Sequence, residues 1–127
     1  MGRWQGRSKR KATGARVRLP RKKRISEMGR PAAETVIGQR KIKLVRVRGG
    51  KKKIKAYIAD SVNVSDQSTG KTKKAAIKEL ITNPASTEYT RRKIITKGAI
   101  INTDLGKVRV TSRPGQDGII NGIIVRE

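Results

Sequence analysis

From Glu34 onwards, apolar and charged residues alternate along the chain, which is the pattern of half-buried strands. In IKLVRVRGG (42–50) the alternation ends at Gly49-Gly50, which predicts a turn into a second strand at 51–60. The consecutive apolar residues Leu44 and Val45 predict a β-bulge in the first strand of this hairpin. Glycine-centred turns separate further predicted strands at 61–66, 94–103, 107–112 and 119–127.

Two segments between these strands are different. KKAAIKELIT (73–82) has apolar residues at helical spacing, yet a strand that pairs with 61–66 fits equally well, so both remain open. Asn83 followed by Pro84 is typical of a helix start and predicts one short helix over about 84–90, capped by Asn83. Six to seven short antiparallel strands with one short helix predict a mainly β fold, a small β-barrel or sandwich.

The first 34 residues show almost no apolar periodicity. Residues 1–24 contain eleven Lys or Arg and no acid, with glycines interspersed. Such a segment cannot bury enough apolar surface to offset the entropy lost on ordering. We therefore expect a basic extended N-terminal arm at 1–34, disordered alone and ordered along a polyanion, ahead of a β-barrel domain at 35–127.

The net charge indicates the class of partner. The chain has 127 residues, with 33 Lys or Arg against nine Asp or Glu, for a formal net charge of +24. A dense polyanion must neutralise such charge, so nucleic acid is the first candidate and an anionic membrane the second. No apolar run is long enough to span a bilayer, none resembles a signal peptide, and the arm lacks the apolar face of a membrane-active helix. We expect a soluble intracellular protein.

The composition excludes most catalytic and metal sites. There is no Cys and no His, which removes thiol nucleophiles, imidazole bases and Cys/His metal sites. The nine acids are dispersed, without a spacing typical of acid–base catalysis or a metal pair. TGKT (69–72) is similar to the end of a phosphate-binding loop, but Ser65 stands where that motif needs glycine, so a hairpin turn is the better interpretation. We expect no enzyme activity, no cofactor and no metal.

The candidate nucleic-acid contacts are cations of the arm, the predicted hairpin and the cluster at 91–93. A localisation signal would explain the arm but not the cations of the β domain. With one Trp, two Tyr and no Phe, recognition should depend on phosphate and shape more than on stacking. Trp4 either stacks on an exposed base or packs on the protein's own barrel. Arg113 either contacts RNA or simply belongs to the turn 112–118, where Gly115 and Gly118 are expected at positive φ. The full set is Arg3, Trp4, Arg7, Lys9, Arg10, Lys11, Arg16, Arg18, Arg21, Lys22, Lys23, Arg24, Arg46, Arg48, Lys51, Lys52, Lys53, Arg91, Arg92, Lys93 and Arg113.

Several long words of the sequence resemble one protein family. The chain resembles archaeal and eukaryotic small-subunit ribosomal protein eight, the S-eight-e family, in its short archaeal form. The resemblance is carried by GRWQGRSKRKATGAR (2–16), KIKLVRVRGGKKK (41–53), TGKTKKAAI (69–77), NPAS followed by EYTRRKIITKGAIINTDLGKVRVTSRPGQDG (within 83–118) and the short hydrophobic end. The resemblance implies a β-barrel with a long arm. It also implies a structural, non-catalytic component of the cytoplasmic small ribosomal subunit, which binds the subunit's ribosomal RNA beside neighbouring ribosomal proteins. A chromatin-type protein that compacts duplex DNA is the alternative interpretation of the charge.

Overall fold

Strands dominate the regular structure and fall into two units of the chain. The computed structural model describes residues 3–125, with one unit ending at Ala32 and the other beginning at Ala33. The first unit contains β1 (Arg3–Trp4), a 3-10 turn (Ile25–Glu27) and β2 (Met28–Gly29). The second contains β3 (Val36–Ile37), β4 (Lys41–Arg46), a 3-10 turn (Arg48–Gly50), β5 (Lys52–Ala59), β6 (Ser61–Ser65), β7 (Thr72–Thr82), α1 (Thr87–Arg91), β8 (Ile100–Thr103), β9 (Gly106–Val110), α2 (Pro114–Asp117) and β10 (Asn121–Ile124).

Five strands of the second unit close into a barrel in the order β10-β6-β7-β8-β9. The predicted mainly β barrel is confirmed, although it has five strands rather than six or seven. Four of its pairs are antiparallel, but β10 and β6 are parallel, which the prediction of antiparallel strands missed. The reason is topological. Consecutive strands alternate in direction, so an odd number of them brings the first and last together pointing the same way.

The barrel interior is aliphatic. Along each strand, every second side chain points into the barrel. An aliphatic core is expected, because the sequence has no Phe. Each large aliphatic side chain contributes roughly 1.5–3 kcal/mol through burial. Gly122 lies at a close approach of two strands, where a Cβ atom would come within 2.4 Å of Val108 Cγ1. The buried core residues of the barrel strands include Val62, Val64, Ala75, Ile77, Leu80, Ile101, Val108 and Val110.

The predicted hairpin forms, but outside the barrel. Strands β4 and β5 pair antiparallel across Gly49 and Gly50, and β3 completes a separate three-stranded sheet in the order β3-β5-β4. Both glycines have φ near +70°, which a turn of this shape requires and L side chains avoid (73° and 74°). The bulge predicted at Leu44 and Val45 is wrong, because the register shifts between Lys41 and Ile42 instead. Leu44 and Val45 simply face opposite sides of the sheet.

The ambiguous segment 73–82 is part of strand β7, and the predicted helix begins later than expected. Its cap is Ser86, whose Oγ accepts a hydrogen bond from Glu88 N at 3.2 Å. Asn83 is not the cap, because α1 begins four residues after it, at Thr87. Asn83 is buried, with 4% of its surface exposed. Its amide donates to Ile94 O at 2.8 Å and its carbonyl oxygen accepts from Thr96 Oγ1 at 3.0 Å. It therefore braces the loop on either side of α1.

A second helix replaces one predicted turn. SRPGQDG (112–118) contains the single-turn helix α2 (Pro114–Asp117), and Gly118 caps its C-terminus with φ of +73°. The positive φ predicted for Gly118 is confirmed, whereas Gly115 lies inside the helix and has no positive φ. TGKT forms the turn between β6 and β7, as predicted, with Gly70 at φ of +66°. The predicted strand 94–103 begins only at Ile100.

The first unit is a loop closed at its base. Strands β1 and β2 pair antiparallel, with Arg3 opposite Gly29 and Trp4 opposite Met28. Gln5 N donates to Glu27 O at 2.9 Å and extends this closure. The predictions of an arm at 1–34 that is disordered alone, and of a β domain at 35–127, stay predictions.

Candidate nucleic-acid interface

Lysines line one face of the β4–β5 hairpin. In the antiparallel register Lys43 is directly opposite Lys55, and Lys53 is opposite Val45. Residues directly opposite each other share a face, so Lys43, Lys53 and Lys55 form what we call the lysine face. None of the three makes an ion pair with a carboxylate of residues 3–125. Like charges in opposite positions destabilise a free sheet, so this face has the arrangement expected of a surface that meets an anion.

The tip of the hairpin contains five of the predicted cations, one of which, Lys53, also belongs to the lysine face. Arg46 and Lys52 are directly opposite each other on the face away from the lysine face. All five of the cations at the tip are exposed. These cations surround the turn at Gly49 and Gly50. The five are Arg46, Arg48, Lys51, Lys52 and Lys53.

The predicted cluster at 91–93 divides into two roles. Arg91 is the last residue of α1, and Lys93 follows it with φ of +54°. Both are exposed. Arg92 instead forks onto the carboxylate of Glu34, with Nη1 3.4 Å from Oε1 and Nη2 paired to Oε2. Arg91 and Lys93 are therefore open to a partner, while Arg92 already holds an acid within its own unit.

Glu27 organises the loop of the first unit. Arg21 Nη2 lies 2.5 Å from Glu27 Oε1, while Trp4 Nε1 and Arg24 N donate to Glu27 Oε2 at 3.4 and 3.3 Å. The hydrogen bond from Arg21, followed by those from Arg24 and Trp4, lowers the pKa of Glu27 below its ordinary value of 4.5. The carboxylate is therefore charged at neutral pH and draws the basic segment around it.

Trp4 sits beside a second concentration of charge. Lys23 Nζ lies 5.5 Å from the centre of the indole ring, a cation–π arrangement. Gly6 packs against the same ring, since a Cβ atom there would come within 2.4 Å of Trp4 Cζ2. The pKa of Lys23 is lowered, mainly because the positive charge of Lys9 is close. A cavity of about 240 Å³ adjoins the ring, with an apolar part made by Val17, Leu19 and Pro20 and with cations at Arg7, Arg18, Arg21, Lys22 and Lys23.

The remaining predicted cations are exposed. Arg113 caps α2, with its backbone N–H donating to Asp117 Oδ2 at 2.9 Å, and its guanidinium faces outward. The others all lie in the first unit, at Arg3, Arg10, Lys11 and Arg16. No group of three or more acids among residues 3–125 could hold a metal ion, and no helix in that range is long and apolar enough to cross a membrane.

Comparison with known proteins decides the family. The sequence model described as ribosomal protein S8e matches residues 4–125. The chain belongs to the ribosomal protein S8e family. Small ribosomal subunit protein eS8 of Methanococcus aeolicus is 52% identical over 128 residues, covering 100% of both chains. The proteins of the same description from Methanocorpusculum labreanum and Methanocella arvoryzae are each 48% identical over 122 residues, covering 96% of this chain and 98% of each relative.

In this S8e-family chain, further cations lie beyond the predicted set. Lys43 and Lys55 of the lysine face were outside it, as were Lys74 and Arg109 on the outer surface of the barrel. Lys74 is opposite Asn63 on β6, and Arg109 is opposite Ile123 on β10. The signal for three of them was already in the alternating pattern, because Lys43, Lys55 and Arg109 each stand between two apolar residues, whereas Lys74 follows Lys73. Clusters of adjacent cations are the stronger signal in the sequence and mask these single positions.

Proposed function

We propose that this S8e-family chain is a structural, non-catalytic constituent of the cytoplasmic small ribosomal subunit. It binds and stabilises folded small-subunit ribosomal RNA and thereby supports translation. It does so without a cofactor and beside neighbouring small-subunit ribosomal proteins. The three relatives named above, at about half identity, are described as small ribosomal subunit proteins, which supports this placement.

The lysine face is the observation that carries the RNA-binding part of the proposal. Lys43 and Lys55 stand directly opposite each other without a carboxylate of the described residues to neutralise them. Ribosomal RNA supplies phosphates at high density, and cations that contact them release condensed counterions. The arrangement is unfavourable in the free protein and favourable on RNA, as expected of a binding surface.

Binding involves both units. The second unit docks on folded RNA through the hairpin and through Arg91 and Lys93. The basic arm enters helical junctions, where Arg side chains make bidentate contacts with crowded phosphates. Beyond the base that β1, β2 and Glu27 close, ordering the arm on RNA costs about 1–2 kcal/mol for every residue that is fixed, so those residues order only where many charge-assisted contacts replace the lost freedom.

Crosslinking in intact cells, followed by sequencing of the attached nucleic acid, tests this function. We expect reads concentrated at a few places in small-subunit ribosomal RNA. Reads spread over genomic DNA would instead indicate a DNA-compacting protein, and reads spread over messenger RNA a general polyanion binder. A matched binding assay with a folded ribosomal RNA fragment and duplex DNA of equal length provides the control, since only a ribosomal protein should prefer the former.

A further inference from the structure

The face of the hairpin opposite the lysine face is apolar. Leu44 is directly opposite Ile54, and Ile42 is opposite Ala56, so these side chains share one side of the β4–β5 ribbon. Ile42, Leu44 and Ile54 are exposed to 43%, 58% and 39%. In a chain with so few apolar residues, three large aliphatic side chains exposed on one face need a reason.

The apolar surface continues beyond the hairpin. Ile42 lines a groove of about 250 Å³ together with Ile119, which is 49% exposed. Gly118, next to Ile119, packs so closely on Ile54 that a Cβ atom would lie 2.3 Å from its Cγ2. We call Ile42, Leu44, Ile54 and Ile119 the aliphatic patch. The close packing at Gly118 holds its two parts in a fixed relation.

Cations surround the aliphatic patch at both ends. Arg46 and Lys52, opposite each other, lie towards the hairpin turn, and Arg40 and Lys74 line the groove. The groove also contains one acid, Asp60. Its pKa is lowered, mainly by the hydrogen bond from Ser61 and also by the charges of Lys74 and Arg40. The rim is positive on balance, since it contains four cations and one carboxylate.

These features select one class of occupant. A second copy of this chain would bring an equally positive rim against the first, which like-charge repulsion opposes. The phosphates of RNA would meet the rim but would lie against aliphatic side chains that offer them no hydrogen bond. A protein segment with aliphatic side chains flanked by carboxylates can pack on the aliphatic patch and pair with the cations of the rim at the same time.

We propose that the aliphatic patch docks such an acidic protein segment, so that the hairpin is two-sided, with RNA against its lysine face and a protein neighbour against the other. The segment buries its aliphatic side chains on Leu44, Ile54 and Ile42. Its carboxylates pair with Arg40, Lys74, Arg46 or Lys52. This inference rests on the proposed function and deepens it, because it assigns the contact with a neighbouring protein to one surface and gives the chemistry of the segment that binds there.

Photo-crosslinking in small ribosomal subunits tests the proposal. The photoreactive residue p-benzoyl-phenylalanine replaces Leu44 in one variant and Lys43 in a matched control. The two positions are adjacent in β4 but face opposite sides of the hairpin. Subunits purified from cells that express each full-length variant are irradiated, and the attached peptides and nucleotides are identified by mass spectrometry.

We expect position 44 to yield a ribosomal protein adduct whose crosslinked peptide contains Asp or Glu near the attached residue, and position 43 to yield an RNA adduct. An RNA adduct, a second copy of this chain or no adduct at position 44 would overturn the docking proposal. Failure of position 43 to reach RNA would count against the lysine face alone, so the two results are separable. Because Leu44 is more than half exposed and Lys43 is also exposed, both variants should fold, which their melting temperatures check.

Discussion

At the scale of single residues, Glu27 connects three separate positions of the first unit. It is the only acid among the first 32 residues, and it holds a guanidinium, an indole N–H and a backbone N–H. In the sequence it is one of nine dispersed acids, and its spacing predicts no role. Its partners are 3, 6 and 23 positions away in the chain. No single short-range spacing in the sequence connects all three.

Protonating Glu27 should open the loop of the first unit. A carboxyl group whose pKa is lowered by folding contributes stability above its ordinary pKa of 4.5 and loses it as pH falls through the lowered value. Trp4 is the only tryptophan, so its fluorescence reports the loop directly. We expect the emission to change at a pH below 4.5, and Glu27→Gln to produce the acid spectrum at neutral pH. Glu88→Gln, in the second unit, is the control and should leave the Trp4 spectrum unaltered.

Arg91 and Arg92 should respond differently to removal. Arg91→Ala should weaken binding to a ribosomal RNA fragment and leave thermal stability unchanged, because the side chain is exposed. Arg92→Ala should lower stability by about 0.2–1 kcal/mol, since it breaks the exposed ion pair with Glu34. Thermal melts and a binding titration on both variants check this. A large loss of stability in Arg91→Ala would assign that residue to the fold instead.

At the scale of elements, the β4–β5 hairpin presents two chemically different faces. Its existence, its turn and the strand limits within a residue or two were predictable, because alternation and paired glycines are local signals. The bulge was misplaced, since it depends on how β5 meets its partner. That the hairpin lies outside the barrel, with one face cationic and the other apolar, depends on which strands pair. Local patterns carry no such information.

Replacing Lys43 and Lys55 together by Ala should have opposite effects on folding and binding. Removing two like charges in directly opposite positions should stabilise the free protein by roughly 0.2–1 kcal/mol. The same change should weaken binding to ribosomal RNA and lower its salt dependence. Denaturant unfolding and a binding titration measure the two effects. Lys78→Ala is the matched control, because Lys78 pairs with Asp104 at 3.2 Å and its removal should not stabilise the protein. If both properties fall together, the lysines serve the fold.

At the scale of the whole molecule, charge and core are distributed unequally. The buried aliphatic residues lie in the second unit, while residues 1–24 supply eleven of the 33 Lys and Arg. The second unit therefore contains a core sufficient for it to fold by itself, and the arm contains cations suited to binding a polyanion. This separation was predicted from periodicity and composition, although the boundary at residue 34 stays a prediction.

Deleting residues 1–24 should separate these two functions. We expect the barrel to remain folded by circular dichroism. The slope of log affinity against log salt should flatten by about 0.9 for each duplex phosphate that the arm no longer neutralises. A full-length variant with the eleven arm cations replaced by Gln controls for chain length and should flatten the slope equally. An unchanged slope would show that the arm is not the main phosphate ligand.

The sequence by itself determined the mainly β fold, most of the glycine turns and the lack of thiol and imidazole groups, and it led to the prediction of a polyanionic partner. Each of these depends on composition or on neighbours within a few residues. Only the tertiary structure decided that five strands close with a parallel pair, that Asn83 braces a loop and that Arg92 is held by Glu34. It also decided that Lys43 faces Lys55 while Leu44, Ile54 and Ile119 stay exposed. These outcomes depend on contacts between distant segments, and a side chain's burial or pairing is set by the strand it meets.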